Sequence, residues 1–418
     1  MRILHVLHRS VPGTHGYAIR SRQIVLSQRE KGLEPIVVTS PSQSSQGELD
    51  SEGSEVIEGV RYFRTGSAIL PPSVEVKDRS PWRAALRVLQ NVRLYETALR
   101  VARKYRPAVV HAHSPFTCGI VGNRVGRRID IPTVYEVRGI WEDSHVGRRK
   151  FGEHSIRYRA VRFLENMAMK GADACCVISE ALRGEVASRG VDPEKISIVP
   201  NGVDVTRFRP GKAPEELIRR FGLENAITMG YIGSFFHYEG LDLLLDATKV
   251  LVREFPRARL LLVGGGELEQ TLKTMTARDG LQDRVIFVGT VPHHQIADYY
   301  RLCDLMILPR RLTRETRLVT PLKPMEIMAM GKALLASDIG GHREMVRDGL
   351  NGLFFESENV EDLAAKCRLL ITDGTLRRNL GLRARTWVEE NRNWNVLTEH
   401  YLSLYARLAA NGGHKMSA

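Results

Sequence analysis

Short apolar runs alternate with helical patterns along the whole chain, which is typical of an α/β protein with parallel sheets. In the first half, strands are predicted at residues 2–8, 35–39, 108–111, 132–137, 174–178 and 196–199. In the second half, they are predicted at residues 227–232, 259–263, 284–288, 304–308, 333–336 and 352–355. Helical patterns fill the gaps, for example at residues 82–105, 240–254 and 362–371. Each half is therefore predicted to form its own doubly wound sheet.

The break between the two predicted sheets falls at residues 200–214, a Pro- and Gly-bearing stretch in which strand periodicity lapses. We therefore predict three segments: an N-terminal domain (1–200), a linker (201–225) and a C-terminal domain (226–392). The tail at 394–408 has helical periodicity and an apolar face that either domain can receive. Residues 40–59 are rich in Ser, Gln and Glu, which predicts a long surface loop.

Length and composition are those of a globular protein with two domains. The chain has 418 residues, whereas a single hydrophobic core stops growing near about 250–300 residues. Hydrophobic residues make up 43% and charged residues 26%, which excludes intrinsic disorder and fibrous repeats. No apolar run approaches the roughly 18–20 residues of a spanning helix, and the first strand is too short for a signal-peptide core. Five scattered cysteines favour a reducing, cytoplasmic compartment over a disulfide framework.

The net charge of +13 is concentrated in the first half of the chain. Residues 1–210 hold 33 Lys and Arg against 22 Asp and Glu. This asymmetry suggests a phosphorylated ligand, an anionic membrane surface or a nucleic acid, and a generally basic proteome or plain solubility is the alternative. Basic and apolar residues mix at 82–105 and 156–164, a pattern of helices that lie on membranes and also of ordinary outer helix faces. No nucleic-acid-binding module is recognisable, so nucleic acid is not an expected partner.

Two glycine-bearing loops follow predicted strands. The first contains Gly13 and Gly16 and leads into a helix with Arg20, and the second is Gly264-Gly265-Gly266. Glycines at such places let backbone N–H groups approach a phosphate. Neither loop has the G-x-G-x-x-G spacing, so a nicotinamide cofactor is disfavoured.

A more specific segment follows the strand that ends at residue 308. Arg310 and Arg311 come directly after it, and a helix is predicted to start at Lys323 or Pro324. Glu326 lies in the first turn, where it can accept hydrogen bonds from ribose hydroxyls or simply stabilise the helix dipole. The chain has no Asp-x-Asp motif and no His or Cys cluster with metal-ligand spacing, so neither a metal nor another cofactor is expected.

Several runs carry a resemblance to a known family. The run ISIVPNGVD at 196–204 resembles the hinge signature of family-4 glycosyltransferases. The run GKALLASDIGGHRE at 331–344 is similar to that family's C-terminal donor domain. The runs at 230–240, 135–138 and 320–326 most resemble members associated with exosortase and exopolysaccharide gene clusters. The resemblance covers nearly the whole chain.

This resemblance implies a GT-B fold, in which two Rossmann-like domains face a central cleft and a C-terminal helix, at about 393–410, packs back on the first domain. It implies retaining transfer of a sugar from a UDP- or GDP-linked donor to a glycan or polyprenyl-phosphate-linked acceptor. The implied setting is cell-surface polysaccharide synthesis, in the cytoplasm and peripheral to the inner face of the membrane.

The resemblance also assigns roles by position. Glu326 matches the glutamate that holds the nucleotide ribose, Gly16 the loop facing the diphosphate, and Val291 the stretch whose backbone approaches the base. The other donor-binding candidates are Gly233, Ser234, Gly264, Arg311 and Leu322. The acceptor-binding candidates are His15, Arg20, His113, Glu136, Glu142 and Asp143.

Three departures from the family pattern stand out. Leu318 replaces the glutamate that contacts the donor sugar, with Glu315 the nearest acid. Ser234 and Glu239 replace a basic pair on the diphosphate, and Arg138 replaces a histidine in the first domain. We hypothesise that Arg138, Arg310 and Lys323 act in catalysis by supplying the missing positive charge together with Arg311.

Two other classes of function stay open. A GT-B-like nucleotide-sugar epimerase would bind the same donor, and Leu318 leaves room for a non-catalytic nucleotide-sugar-binding protein.

Overall fold

The computed structural model of the chain describes residues 1–13, 16–43, 45, 47–66, 81–147, 152 and 155–412. It divides into two compact units. Unit 1 consists of residues 1–200 and the segment that begins at Trp394, and unit 2 is Asn201–Asn393.

Unit 1 is built on an eight-stranded sheet in the order β3-β4-β2-β1-β5-β6-β7-β8. Its strands are β1 (Arg2–Leu7), β2 (Glu34–Thr39), β3 (Ser54–Ile57), β4 (Val60–Arg64), β5 (Val109–His113), β6 (Thr133–Val137), β7 (Ala174–Val177) and β8 (Ile196–Ile198). Its helices up to residue 200 are α1 (Gly16–Glu30), α2 (Pro81–Tyr105), α3 (Phe116–Ile129), α4 (Trp141–Gly147), α5 (Ile156–Gly171) and α6 (Glu180–Ser188). Among the described residues of this unit, β3 and β4 are the one pair that runs antiparallel.

The six strands predicted in this half are confirmed, and the sequence missed the β3–β4 hairpin. The prediction that residues 40–59 form only a loop is wrong for β3. Glu58 and Gly59 connect the two strands with φ of 51° and 76°, as in the two-residue turns that join hairpin strands. The β3 strand is short, and Val56 is 59% exposed, so it lacks the apolar alternation that marks a half-buried strand.

Unit 2 is built on a six-stranded, wholly parallel sheet in the order β11-β10-β9-β12-β13-β14. Its strands are β9 (Ile227–Ile232), β10 (Ala258–Val263), β11 (Val285–Gly289), β12 (Leu305–Leu308), β13 (Ala333–Ser337) and β14 (Leu353–Phe355). Its helices are α7 (Glu215–Phe221), α8 (Leu241–Glu254), α9 (Glu269–Arg278), α10 (Ile296–Leu302), α11 (Arg314–Leu318), α12 (Lys323–Ala329), α13 (Gly340–Arg343), α14 (Val360–Thr372) and α15 (Gly374–Asn391). All six strands match predictions, which confirms two parallel-sheet α/β domains.

The segment 201–225 packs on unit 2. Val203 and Phe208 are buried in its core, and Ile218 and Phe221 of α7 pack against that core. The stretch suggested as a linker therefore contributes apolar surface to unit 2.

The last helix, α16 (Trp394–Gly412), belongs to unit 1. Leu397, Tyr401 and Leu404 lie on its apolar stripe and are buried in a cluster with Ile3 and Val109 of the first sheet. The periodicity of the tail left the receiving domain open, and its burial against unit 1 settles it.

All five cysteines are free and buried. Within the described ranges, no helix combines the length and apolar character needed to cross a membrane.

Candidate functional site

Unit 2 brings several predicted donor-side residues to one edge of its sheet. Gly233 follows β9, Arg310 follows β12, and α12 begins at Lys323. Because these strands are parallel, their carboxyl ends share the edge at which α/β sheets bind ligands. The predicted helix start at Lys323 is confirmed, and Pro324 in the first turn explains it because proline presets the helical φ.

Lys323 is held by a buried acid. Its Nζ lies 2.7 Å from Oε1 of Glu239 and donates a hydrogen bond of 2.6 Å to the hydroxyl of Tyr231. Burial disfavours the charge of Glu239, but Lys323 and Arg310 outweigh burial and hold the pKa of this carboxyl below its usual value. Glu239, where the resemblance led us to expect a basic residue, is thus paired with a lysine from another element.

Arg310 adds a second positive charge at this edge. It is 6% exposed, its Nε lies 3.6 Å from Oε2 of Glu239, and its guanidinium lies 5.3 Å from the ring centre of Tyr238. Within the described part of the chain, Nε and Nη1 of Arg310 have no hydrogen-bond partner. Lys323 and Arg310 therefore face one carboxylate, which leaves surplus positive charge and unsatisfied donors suited to an anionic ligand.

Two glycines allow the chain to close around Lys323. At Gly233, where φ is 153°, a Cβ would lie 2.2 Å from Cε of Lys323. At Gly264, where φ is 132°, a Cβ would lie 1.9 Å from the carbonyl oxygen of Gly233. A side chain at either position would force the lysine or the ends of β9 and β10 apart.

Glu326 lies in the first turn of α12 and accepts a hydrogen bond of 2.8 Å from the hydroxyl of Tyr300. Burial raises the pKa of Glu326 to about 7, while the bond from Tyr300 acts in the opposite direction. The carboxyl therefore changes charge near neutral pH. Its role toward a ribose stays a prediction.

Arg311 is paired differently from Arg310. Its guanidinium contacts Asp242 and lies 2.8 Å from Glu358. Two carboxylates therefore already offset its charge, and less of it is left for a ligand.

The remaining donor-side candidates, and the acceptor candidate His15, lie at other positions along the chain. Ser234 is exposed after β9, Leu322 immediately precedes α12, and Val291 is half-buried against the core after β11. Gly16 is the first residue of α1, whereas His15 lies outside the described residues.

A second cluster centres on Glu136 in β6 of unit 1. Its Oε1 accepts from Nε of Arg20 and from Nε of Arg138, both at 2.9 Å, and its Oε2 accepts from the hydroxyl of Tyr401 at 2.7 Å. Burial opposes ionisation, yet the two guanidiniums outweigh it and hold the pKa of Glu136 well below its usual value. The structure thus brings together three predicted residues, with one acid between two cations.

Two histidines extend this cluster in a chain of hydrogen bonds. Oε1 of Gln28 can only accept, so Nε2 of His5 carries the proton of their 2.9 Å bond. Nδ1 of His5 then accepts from Nε2 of His113 at 2.9 Å, and Nδ1 of His113 faces Arg138. Burial lowers the pKa of both rings, to about 3 for His5, so both are neutral.

A third histidine, His111, gives the group the spacing of a metal site. The ligand atoms of His5, His111 and His113 all lie within 4.8 Å of one another. Nδ1 of His111 lies 2.6 Å from the hydroxyl of Tyr405 and its Nε2 lies 3.2 Å from Glu136. Every ring nitrogen therefore has a polar neighbour already, and the trio fits a hydrogen-bonded network better than a ligand set. Parallel pairing of β1 and β5 sets His5 opposite His111, a proximity that sequence spacing does not reveal.

The remaining acceptor candidates are engaged with other partners. Glu142 forms a buried ion pair of 2.8 Å with Arg189. Asp143 accepts a hydrogen bond of 2.8 Å from the hydroxyl of Tyr158. Both acids lie in the first turn of α4 and tie it to neighbouring helices.

Three tyrosines complete these clusters and were not predicted: Tyr231, Tyr300 and Tyr401. Each lies in an apolar pattern, which indicates only a core position. Tyr231 alone carried a signal, because it lies in the run at 230–240 that resembles the family.

Two sequence families match the chain. The family described as Glycosyltransferase Family 4 matches residues 16–207, and the one described as Glycosyl transferases group 1 matches residues 214–387. Together they span most of the chain, which belongs to the family-4 glycosyltransferases.

Curated relatives include the D-inositol 3-phosphate glycosyltransferase of Nocardia farcinica, 30% identical over 56% of this chain and 50% of that protein. The GDP-mannose-dependent alpha-(1-6)-phosphatidylinositol monomannoside mannosyltransferase of Mycobacterium tuberculosis is 28% identical over 54% of this chain and 60% of that protein. The chain thus matches between half and three fifths of the length of these two relatives.

Solved structures share the fold. HepE of Anabaena, solved in complex with UDP, has a TM-score of 0.72 at 18% identity, covering 97% of this chain and 100% of that one. The sucrose-phosphate synthase of Thermosynechococcus elongatus has a TM-score of 0.75 at 19% identity, covering 98% and 99%. These likenesses confirm the predicted GT-B fold.

Proposed function

We propose that this chain transfers a sugar from a nucleoside-diphosphate-sugar donor, UDP- or GDP-linked, to a hydroxyl acceptor. The observation that carries this proposal is the cluster of Lys323, Arg310 and Glu239 at the carboxyl edge of the unit 2 sheet. It holds two cations against one carboxylate, with unsatisfied Arg310 donors among the described residues. Family membership supports the same reading.

The chemistry explains why such a cluster is useful. When the bond between the anomeric carbon and the phosphate oxygen breaks, the electron pair leaves with the nucleoside diphosphate. Preorganised cations stabilise that charge, and loss of one such donor typically costs about 3–4 kcal/mol of barrier. Lys323 and Arg310 supply this stabilisation without a metal ion.

For retention, we propose attack of the acceptor hydroxyl on the face from which the diphosphate departs. The new bond joins the acceptor oxygen to the anomeric carbon, and the hydroxyl proton passes to the departing phosphate oxygen. The resemblance to retaining family members supports this course. NMR of the product's anomeric proton tests it, and an inverted product contradicts it.

For the acceptor, we propose a glycan or polyprenyl-phosphate carrier bound through unit 1, with use in cell-surface polysaccharide assembly. Arg20 and Arg138 against Glu136 leave one surplus positive charge there, which suits a phosphate-bearing acceptor. Deletion of the gene should reduce surface polysaccharide, and the wild-type gene, but not an Arg310→Ala gene, should restore it.

Unit 1 also carries a surface suited to an anionic membrane. On α5, Ile156, Phe163 and Met167 are 86%, 64% and 47% exposed, alongside the exposed Arg159 and Arg162. The one acid of α5 is buried. Such a face binds by apolar insertion and by attraction to anionic lipid.

Sedimentation with vesicles tests this surface. We expect wild-type protein to bind vesicles containing phosphatidylglycerol more than phosphatidylcholine alone, and Phe163→Ser with Met167→Ser to lose binding. Leu382→Ser, which changes a 67% exposed leucine of unit 2, is the matched control. Equal sedimentation with both vesicle types contradicts the membrane proposal.

The donor proposal is tested in two stages. Thermal unfolding with UDP, GDP, UDP-glucose and GDP-mannose identifies the nucleotide, because a bound ligand raises the melting temperature with occupancy. Turnover is then measured with the selected donor, with and without EDTA. Arg310→Ala should lower turnover, while Arg253→Ala, at an exposed arginine of unit 2, should not.

Each outcome separates the alternatives. Transfer or slow donor hydrolysis supports the proposal, and loss of turnover in EDTA contradicts its metal independence. Interconversion of the donor sugar indicates the epimerase. Tight donor binding without chemistry indicates a binding protein, the reading that Leu318 leaves open.

A further inference from the structure

His342 is a buried histidine with one unused ring nitrogen. It lies in α13, after β13, and is 0% exposed. Its Nδ1 lies 2.9 Å from the carbonyl oxygen of Ser337, which can only accept, so Nδ1 carries the proton. Nε2 is then a bare acceptor, and within the described part of the chain it has no hydrogen-bond partner.

The unsatisfied donors of Arg310 belong to the same edge of unit 2. Leu308 of β12 pairs with Ala336 of β13, so the residues that follow these two strands emerge side by side. After burial itself, Arg310 is the main influence that lowers the pKa of His342, to about 3. His342 is therefore neutral near neutral pH, and its Nε2 is an acceptor there.

The unused donors of Arg310 and the unused acceptor of His342 together favour a ligand hydroxyl over a phosphate oxygen. A phosphate oxygen can only accept, so it would satisfy Arg310 but would meet the lone pair of His342 Nε2. It would also meet Oε2 of Glu239, which has no hydrogen-bond partner among the described residues. A hydroxyl both donates and accepts, so one hydroxyl can serve Arg310 and His342 together.

We propose that Arg310 and His342 form a subsite that binds one hydroxyl of the transferred sugar. That hydroxyl donates a hydrogen bond to Nε2 of His342 and accepts one from Arg310. The inference rests on the proposed donor-binding function and deepens it. His342 then determines sugar specificity. Nε and Nη1 of Arg310 both lack a hydrogen-bond partner among the described residues, so one can serve this hydroxyl while the rest of the guanidinium acts on the diphosphate together with Lys323.

Calorimetric titration of four proteins tests this subsite. Wild type, His342→Leu, His342→Gln and the control His400→Leu, at an exposed histidine of unit 1, are titrated with UDP and UDP-glucose, and with GDP and GDP-mannose. The measured quantity is the affinity gained by adding the sugar to its own nucleotide. A structural defect would weaken both ligands and leave this ratio unchanged.

We expect His342→Leu to lower the sugar-dependent gain about ten-fold, because the sugar hydroxyl then loses its buried acceptor. Binding of the nucleotide alone should stay within about two-fold, since no phosphate contact is removed. His342→Gln keeps an acceptor and should recover much of the sugar-dependent gain. It also tests the subsite if the His342→Leu variant folds poorly. His400→Leu should match wild type.

Two results overturn the inference and are distinguishable. An unchanged sugar-dependent gain in both His342 variants means that the subsite holds only water, and the proposed function survives. Failure of wild type to bind any of the four nucleotides removes the proposed function and the subsite with it.

Discussion

Nζ of Lys323 lies 2.7 Å from Oε1 of Glu239, so a lysine at the start of α12 is held in place by an acid that precedes α8. The resemblance to the family led us to expect a basic residue at that acid's position. Here the positive charge reaches the same edge of the sheet from a different element. The pairing keeps the lysine ordered while Arg310 retains the surplus charge.

Removing Lys323 should separate its structural role from its ligand-binding role. Lys323→Ala leaves Glu239 buried without its main counter-charge, and loss of one partner of a buried pair costs about 3–5 kcal/mol of unfolding free energy. Glu239→Gln in the same chain should recover most of that stability, because it removes the stranded charge. Nucleotide binding should stay weak in the double variant.

Urea denaturation and titration with UDP or GDP measure these two effects. Lys273→Ala, at a partly exposed ion pair with Glu269, should change stability by no more than about 1 kcal/mol. Recovery of full nucleotide affinity in the double variant would show that Lys323 has no part in the donor site.

Gly264→Ala should be far more destabilising than Gly280→Ala. Both glycines have positive φ, of 132° and 69°, but only at Gly264 does an added Cβ meet backbone, 1.9 Å from the carbonyl oxygen of Gly233. The left-handed conformation alone costs about 1–2 kcal/mol, and the clash at Gly264 adds to this. Equal unfolding free energies in urea would contradict the close approach of the two strand ends.

Glu165 should make unit 1 less stable as pH rises. It is fully buried, accepts from the hydroxyl of Tyr135 at 2.9 Å and from the amide of Phe116 at 3.1 Å, and burial raises its pKa to about 8. Between its usual pKa, about 4.5, and about 8 the folded state keeps a proton that the unfolded state has lost. The unfolding free energy therefore falls across this window, by at most about 1.4 kcal/mol per pH unit.

Urea denaturation from pH 5 to 9 measures this slope. The difference between wild type and Glu165→Gln should shrink or reverse as pH rises, because glutamine does not titrate. Glu30→Gln, at an exposed acid of the same unit, should run parallel to wild type. A flat difference between wild type and Glu165→Gln would mean that Glu165 ionises normally.

Glu326 should give nucleotide binding a pH dependence centred near neutrality. Burial raises its pKa to about 7, and the ionised carboxylate accepts hydrogen bonds from ribose hydroxyls more strongly than the neutral acid does. Affinity for the nucleotide should therefore rise as pH passes through about 7. Tyr300→Phe removes the hydrogen bond that favours ionisation, so the midpoint should move upward.

Titration calorimetry from pH 6 to 8.5 follows this change. Glu326→Gln is the control, because it retains the titration of the nucleotide phosphate and lacks that of the carboxyl. The same pH profile in Glu326→Gln as in wild type would remove Glu326 from the ribose contact.

Local patterns predicted much of the fold and part of the site. Apolar runs marked the twelve predicted strands because buried parallel strands are mostly apolar, and Pro324 marked the start of α12. The β3–β4 hairpin was missed because β3 is short and its exposed Val56 breaks the apolar alternation, although most of β4 is buried. The pairing of Glu239 with Lys323 was not predicted, because the two residues are distant in sequence and no local pattern in either segment indicates its partner.

The sequence by itself determined the α/β class, the strands of both sheets other than β3 and β4, and the family resemblance, since these depend on residues that are neighbours along the chain. Tertiary structure decided which distant groups meet. It placed α16 on unit 1 and set His5 against His111. Among the described residues, it left Arg310 and His342 with hydrogen-bonding atoms that have no partner. The physical reason is that parallel strands gather their ends at one sheet edge whatever their separation in sequence, and burial then decides the charge and the partner of each group.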